Sequence, residues 1–269
     1  MRLIKMILFV LPSMLTTDMV GTGITKNSVL VCYGRLEPET IKGYTYVILE
    51  SQYYNMYEIQ KIKSQNEKVV AYISLGEVNA NSRYFDLLKE NSFGKNEIWN
   101  SYYLNLKSEK AIESLKEIIR NTLAMGYDGM FFDNVENFST HGPQSQQRVE
   151  LVNLLKDIDS EFPTHFFIQN SGIQLIDDSA PYVDAVVMES VATNYTFEDK
   201  NYKLRNETEY KEYIKELKSV RKKYHLPIIL IEYADSITLH DAIQKRIKSS
   251  RFDYFIGNIN LLTMPQFSN

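Results

Sequence analysis

The strongest constraint on this chain is a repeat of short, almost uninterrupted apolar runs separated by longer amphipathic stretches. The runs occupy residues 29–33, 46–50, 68–75, 129–133, 165–170, 185–189, 228–233 and 254–258. A strand half-exposed to water alternates apolar and polar residues. These runs do not, so both of their faces must be covered, as in a parallel sheet. Between them, residues 57–66, 109–125, 144–161, 207–224 and 239–248 place apolar side chains at three- and four-residue spacing, which predicts amphipathic helices. Gly126 stands where the second helix should stop, and Pro227 follows the fourth. Strand and helix alternating in this way predict an α/β fold, and eight such strands predict a closed (β/α)8 barrel. A chain of 269 residues with 44% hydrophobic composition suits one such barrel, which takes roughly 250 residues. No Gly/Ser or Pro-rich linker divides it, so residues 24–269 are expected to form a single domain. The longest connections, 76–105 and 190–206, are expected to be active-site loops or small insertions.

Residues 1–23 resemble an export leader: Arg2 and Lys5 precede an apolar run, and Gly21 and Gly23 offer small residues for cleavage before Ile24. The run is too short to cross a hydrocarbon core of ~30 Å, so a secreted or extracytoplasmic protein without a permanent membrane span is expected. Asn-x-Ser/Thr triplets at Asn137, Asn194 and Asn206 are compatible with such export. Cys32 is the only cysteine, which rules out an intrachain disulfide, and its apolar neighbours predict a buried thiol. A formal net charge of −4 gives no basic face for nucleic acid.

In a (β/α)8 barrel the active site is built at the C-terminal ends of the strands. Here those ends are mostly acidic: Glu50, Glu77, Asp133, Glu189 and Glu232, with Asn134 and Asn170 beside them and Tyr33 and Tyr233 at the first and seventh ends. A single acid there can cap the next helix. Several at equivalent ends repel one another and need a ligand, a neighbour or a shared proton. Zinc chemistry does not fit, because His165 and His225 lie at or before strand starts, and no metal or other cofactor is expected. The loops after strands seven and eight lack the glycine-rich sequence that would cradle phosphate. Glycoside hydrolysis, which uses one carboxyl to protonate the leaving oxygen and another to attack or to activate water, fits best. The segment 128–136 invites comparison with chitinase-type enzymes. However, Asp133 and Glu136 are three residues apart and would face opposite sides of a strand, which disfavours an N-acetyl-assisted mechanism.

The segments Tyr33-Gly-Arg-Leu36, Val70-Ala-Tyr-Ile-Ser-Leu-Gly-Glu77, Gly126-Tyr-Asp-Gly-Met-Phe-Phe-Asp133, Gln169-Asn170 and Met188-Glu189-Ser190 together resemble family 114 of the glycoside hydrolases, the endo-α-1,4-polygalactosaminidase group. The resemblance runs from about residue 29 to about residue 260. It implies a barrel that cleaves an α-1,4-linked, galactosamine-containing polysaccharide. Asp133 would be nucleophile or base and Glu189 acid/base, with Tyr33, Glu77, Asn170 and Tyr233 around the sugar. Asn134 and Glu232, at neighbouring strand ends, join the expected substrate-binding set. A galactosamine polymer is cationic, and an acidic cleft would attract it. Two alternatives stay open: Glu232 could replace Glu189 as the second catalytic acid, or the barrel could bind polysaccharide without cleaving it. Tyr53, Tyr54, Trp99, Tyr102 and Tyr103 offer rings for stacking on sugar faces, or simply pack their loops.

Overall fold

A computed structural model describes residues 28–268. The expected leader, residues 1–23, lies outside them. Eight strands form one parallel sheet in chain order: β1 (Val29–Cys32), β2 (Tyr46–Leu49), β3 (Lys68–Ser74), β4 (Gly129–Asp133), β5 (Phe166–Asn170), β6 (Ala185–Glu189), β7 (Ile228–Tyr233) and β8 (Asp253–Gly257). Each strand is hydrogen-bonded to the next, and the last curls back to the first to give a nearly closed (β/α)8 barrel. At that seam the Tyr33 amide donates to the Leu261 carbonyl at 2.7 Å. Gly34 permits the approach, because a Cβ there would lie 2.0 Å from the Leu262 carbonyl oxygen. Gly129 serves the same end between β4 and β5, where a Cβ would meet the Phe166 carbonyl at 1.7 Å.

The barrel is clad by α1 (Met56–Lys63), α2 (Glu109–Ala124), α3 (Arg148–Glu161), α4 (Glu207–Tyr224) and α5 (Ile237–Ile247). All five were anticipated, and their ends differ for local reasons. The first stops before Asn66, whose side-chain amide donates to the carbonyls of Ile41 and Ile62, tying the helix end to the connection that leads into β2. The third begins with a 3-10 turn, Ser145–Gln147. The last starts early because the Ser236 hydroxyl accepts from the Leu239 amide and caps it. Helix α4 closes on His225 in the left-handed region, φ 59°, ahead of Pro227.

Strand parity decides which side chains face the mouth. Along β6 and β7, Ala185, Val187, Ile229, Ile231 and Tyr233 belong to the cluster that fills the barrel. Val186, Met188, Ile228 and Leu230 belong to a second cluster with Ile214, Leu217 and Val220 of α4 and Ile243 and Ile247 of α5. Each buried Val, Leu, Ile or Met among them contributes about 1.5–3 kcal/mol. The two long connections are built excursions over the C-terminal end. The first folds into a three-stranded antiparallel sheet of Glu77–Asn79, Ser92–Asn96 and Ser101–Leu104. The second is a hairpin of Thr193–Thr196 and Asn201–Leu204. Cys32 is fully buried, and burial pushes its thiol pKa up. Among the described residues no helix is long and apolar enough to cross a membrane.

Candidate active site

The strand ends surround a cavity of about 460 Å³ lined by Tyr33, Tyr72, Glu77, Asp133, Glu189 and Tyr233, with Trp99, Tyr195 and Phe197 from the excursions above. The inward-facing ends of β4, β5 and β6 bring Asp133, Asn170 and Glu189 side by side. The Asn170 side-chain nitrogen donates to Asp133 Oδ1 and to Glu189 Oε1, both at 2.7 Å. The second Asp133 oxygen accepts from the Tyr72 hydroxyl at 2.8 Å. The second Glu189 oxygen accepts from the Tyr233 hydroxyl. Two carboxylates are thus fixed by neutral donors and share one of them. Asn170, expected from the sequence beside the sugar, thus bridges the two carboxylates.

The electrostatics follow from that packing. Burial raises the Asp133 pKa above the ordinary carboxylate range, and the Glu77 charge adds to it, while bonds from Asn170, Tyr72 and the Asn134 backbone oppose the rise. Burial also raises Glu189, the Asp133 charge raises it further, and bonds from Tyr233 and Asn170 oppose this. Burial, then the nearby carboxylates, hold the Tyr33, Tyr72 and Tyr233 phenols well above their usual value, so each remains a proton donor. Among the described residues that line the cavity there is no Lys or Arg.

Glu77 also reaches the cavity, at only 6% exposure. Its oxygens accept from Asn137 Nδ2 at 2.9 Å, from Asn96 Nδ2 at 3.2 and 3.3 Å, and from the Ser101 hydroxyl. Asn134 lines the cavity in the left-handed region, φ 58°, with its side-chain oxygen accepting from the Ser74 hydroxyl at 2.6 Å. Tyr33 packs against Tyr72, ring centroids 4.6 Å apart.

Glu232 is not brought to the mouth. It has the outward parity of Leu230, is fully buried, and accepts from the amides of Ala192 and Thr193 at 2.8 and 3.0 Å and from the Thr193 hydroxyl at 2.6 Å. Burial pushes its pKa up to about 7 against those bonds. Its role is to anchor the start of the excursion after β6, and the catalytic and sugar-contacting alternatives for it fall away on geometry. Glu50 likewise does not line the cavity. Burial raises its pKa, offset in part by the Gln52 backbone and by the Arg83 charge.

The sequons are put to structural use: Asn137 is buried under Glu77, Asn194 lines the cavity, and the Asn206 side chain caps α4. Tyr72 and Ser74 were missed as site residues. They alternate inward along β3, so parity within the third apolar run could have found them.

The sequence model of the glycoside-hydrolase family GH114 matches residues 33–266. No curated protein matches the chain. Among solved structures, the glycoside hydrolase domain of PelA from Pseudomonas aeruginosa is similar at 20% identity and a TM-score of 0.78, covering 90% of this chain and 98% of that one. Ega3 from Aspergillus fumigatus, solved in complex with galactosamine, is similar at 15% identity and a TM-score of 0.69, covering 89% of this chain and 93% of that one. Likeness at these identities speaks for a shared barrel.

Proposed function

The chain belongs to glycoside-hydrolase family GH114 and is a glycosidase, and from that premise we propose that it cleaves a galactosamine-containing, α-1,4-linked polysaccharide with Asp133 and Glu189 as its two catalytic carboxyls. The observation that carries the substrate class is the charge of the cavity: Glu77, Asp133 and Glu189 line it, and among the described residues no basic side chain does. A cationic aminosugar relieves the mutual repulsion of these carboxylates, which a neutral sugar cannot do. The galactosamine held by Ega3 agrees with this reading.

The roles follow from how each acid is held. Asp133 is stabilised as an anion by Asn170, Tyr72 and the Asn134 backbone, which suits a nucleophile. Glu189 has fewer such bonds and faces the Asp133 charge, which suits the group that carries the proton to the leaving oxygen. Bonds of 2.7 Å to one nitrogen place the two bonded oxygens no more than about 5.4 Å apart, a limit that favours the closely spaced carboxyls of retaining enzymes (~5–5.5 Å) over the ~6.5–9.5 Å that a water between the groups needs. Retention of anomeric configuration through a glycosyl-Asp133 ester is therefore the proposed course, with Glu189 first acid and then base. Glu77 and Tyr33 contact the sugar beside them. Export is proposed from residues 1–23 alone.

The test is to incubate the purified protein with partly deacetylated α-1,4-galactosaminogalactan and with a neutral galactan, reading new reducing ends and the anomer first formed by proton NMR. Cleavage of the cationic polymer with the α anomer formed first is expected. Equal cleavage of the neutral galactan overturns the substrate class, and a β anomer formed first overturns retention.

A further inference from the structure

The acid chemistry leaves unused a set of rings above it. Trp99, from the excursion after β3, and Phe197, from the hairpin after β6, meet edge to face with ring centroids 5.1 Å apart. Tyr195 stands edge-on to Phe197 at 5.0 Å and packs on Tyr202 across the hairpin at 4.7 Å. Trp99, Tyr195 and Phe197 line the same cavity as Asp133 and Glu189. Yet Trp99 is 48% exposed and Phe197 45%, leaving apolar surface in water at a cost of about 25 cal/mol per Å². Their placement is held from behind: the Asn79 side-chain amide donates to the Trp99 carbonyl at 2.6 Å, and Asn79 sits in a strand paired with Ser101. The result is a ring with an open face, fixed at the edge of the cavity, with the Asn79 and Asn194 side chains nearby for hydroxyl contacts.

We propose that Trp99, braced by Phe197, is a sugar-stacking subsite that holds a galacto-configured residue of the polymer away from the scissile bond; this rests on the reading of the cavity as a galactosamine-polymer site. In a galacto ring the axial C4 hydroxyl stands on one side, leaving the carbon-bound hydrogens of C3, C4 and C5 as a continuous apolar patch on the other. An indole face matches that patch in shape and surface. The ammonium on C2 of a neighbouring residue gains from the same electron-rich rings. The subsite therefore adds to polymer affinity and not to bond breaking. It appears in KM for long substrates and in binding, with kcat on a short substrate unchanged.

Trp99 is the only tryptophan in the chain, so its emission reports this subsite without background. The experiment titrates α-1,4-linked galactosamine oligosaccharides into the Asp133→Asn protein, following tryptophan emission and heat in parallel. A saturable blue shift with the calorimetric Kd is expected. Trp99→Ala should weaken oligosaccharide binding and raise polymer KM about fivefold to tenfold, while Trp99→Phe recovers most of the loss. Circular dichroism of both variants confirms the fold. Saturation by calorimetry without any emission change, or unaltered affinity in Trp99→Ala, overturns the subsite alone. Absence of calorimetric binding together with absence of cleavage by the parent overturns the substrate reading and the subsite with it.

Discussion

Replacing Asn170 by Ala removes the one side chain that donates to both candidate catalytic carboxyls, at 2.7 Å each. Two unit charges about 5 Å apart at an effective dielectric of ~20 repel by about 3 kcal/mol. The donors around the pair are what make that tolerable. A hydrogen bond to a charged group is worth about 1.5–3 kcal/mol, and about 1.36 kcal/mol corresponds to one pH unit, so each carboxyl pKa should rise by about 1–2 units in the variant. The sign is fixed by the bond: Asn170 lowers both pKa values, so its loss raises them, and both limbs of the pH–rate profile for reducing-end release move to higher pH.

Stability moves with the same sign. A carboxyl whose folded pKa lies above its unfolded value contributes stability that is present below the unfolded pKa, near 4, and lost as pH rises through the folded one. Asp133 and Glu189 are both of this kind. The variant should therefore unfold close to the parent near pH 4 and well below it near pH 7, in denaturant titrations at the two pH values. Limbs that stay where the parent's lie, with full activity, would refute the reasoning that Asn170 sets the charge state of the pair.

Glu232→Ala strands the Ala192 and Thr193 amides in a buried site and should cost about 3 kcal/mol or more, roughly 6–12 °C in Tm, while activity per folded molecule survives. Glu232 also carries a raised pKa of about 7, so its contribution is present at acid pH and lost as pH rises through about 7. Glu232→Gln should accordingly show its larger stability deficit at pH 5 and a smaller one at pH 8, read by thermal melts. Tyr233→Phe removes the hydroxyl that bonds Glu189 alone, so only the basic limb of the pH–rate profile should move up, by about one unit. Gly129→Ala drives a Cβ into the Phe166 backbone and should lower stability by about 1–3 kcal/mol or more in denaturant unfolding, since the clash is with main chain and not with a side chain that can turn away.

Much of this architecture was legible because a barrel strand covered on both faces is nearly all apolar and a barrel helix repeats every three to four residues. That pattern placed all eight strands and brought Asp133, Asn170 and Glu189 to equivalent ends. It failed where position along a strand matters less than parity. Residues 228–233 are buried throughout, so the run itself does not say that Tyr233 faces in and Glu232 faces out. The inward set only emerges once β6 and β7 are seen side by side, with Glu189 in register with Ile231. Asn137 offered only an export-compatible triplet, because nothing local reveals that its side chain is buried and donates to Glu77. The Trp99–Phe197 contact joins two excursions far apart in the chain, and no local period encodes a meeting of that kind.

The central claim is that Asp133 and Glu189 form the catalytic pair and Glu232 does not. Initial rates of reducing-end release from partly deacetylated α-1,4-galactosaminogalactan, measured side by side for the parent, Asp133→Asn, Glu189→Gln and Glu232→Gln, test it most directly. The account predicts loss of cleavage by a factor of about a thousand or more in the first two variants, with Glu232→Gln retaining near-parental kcat at a temperature where it is folded. Cleavage that survives Glu189→Gln and disappears in folded Glu232→Gln would contradict it.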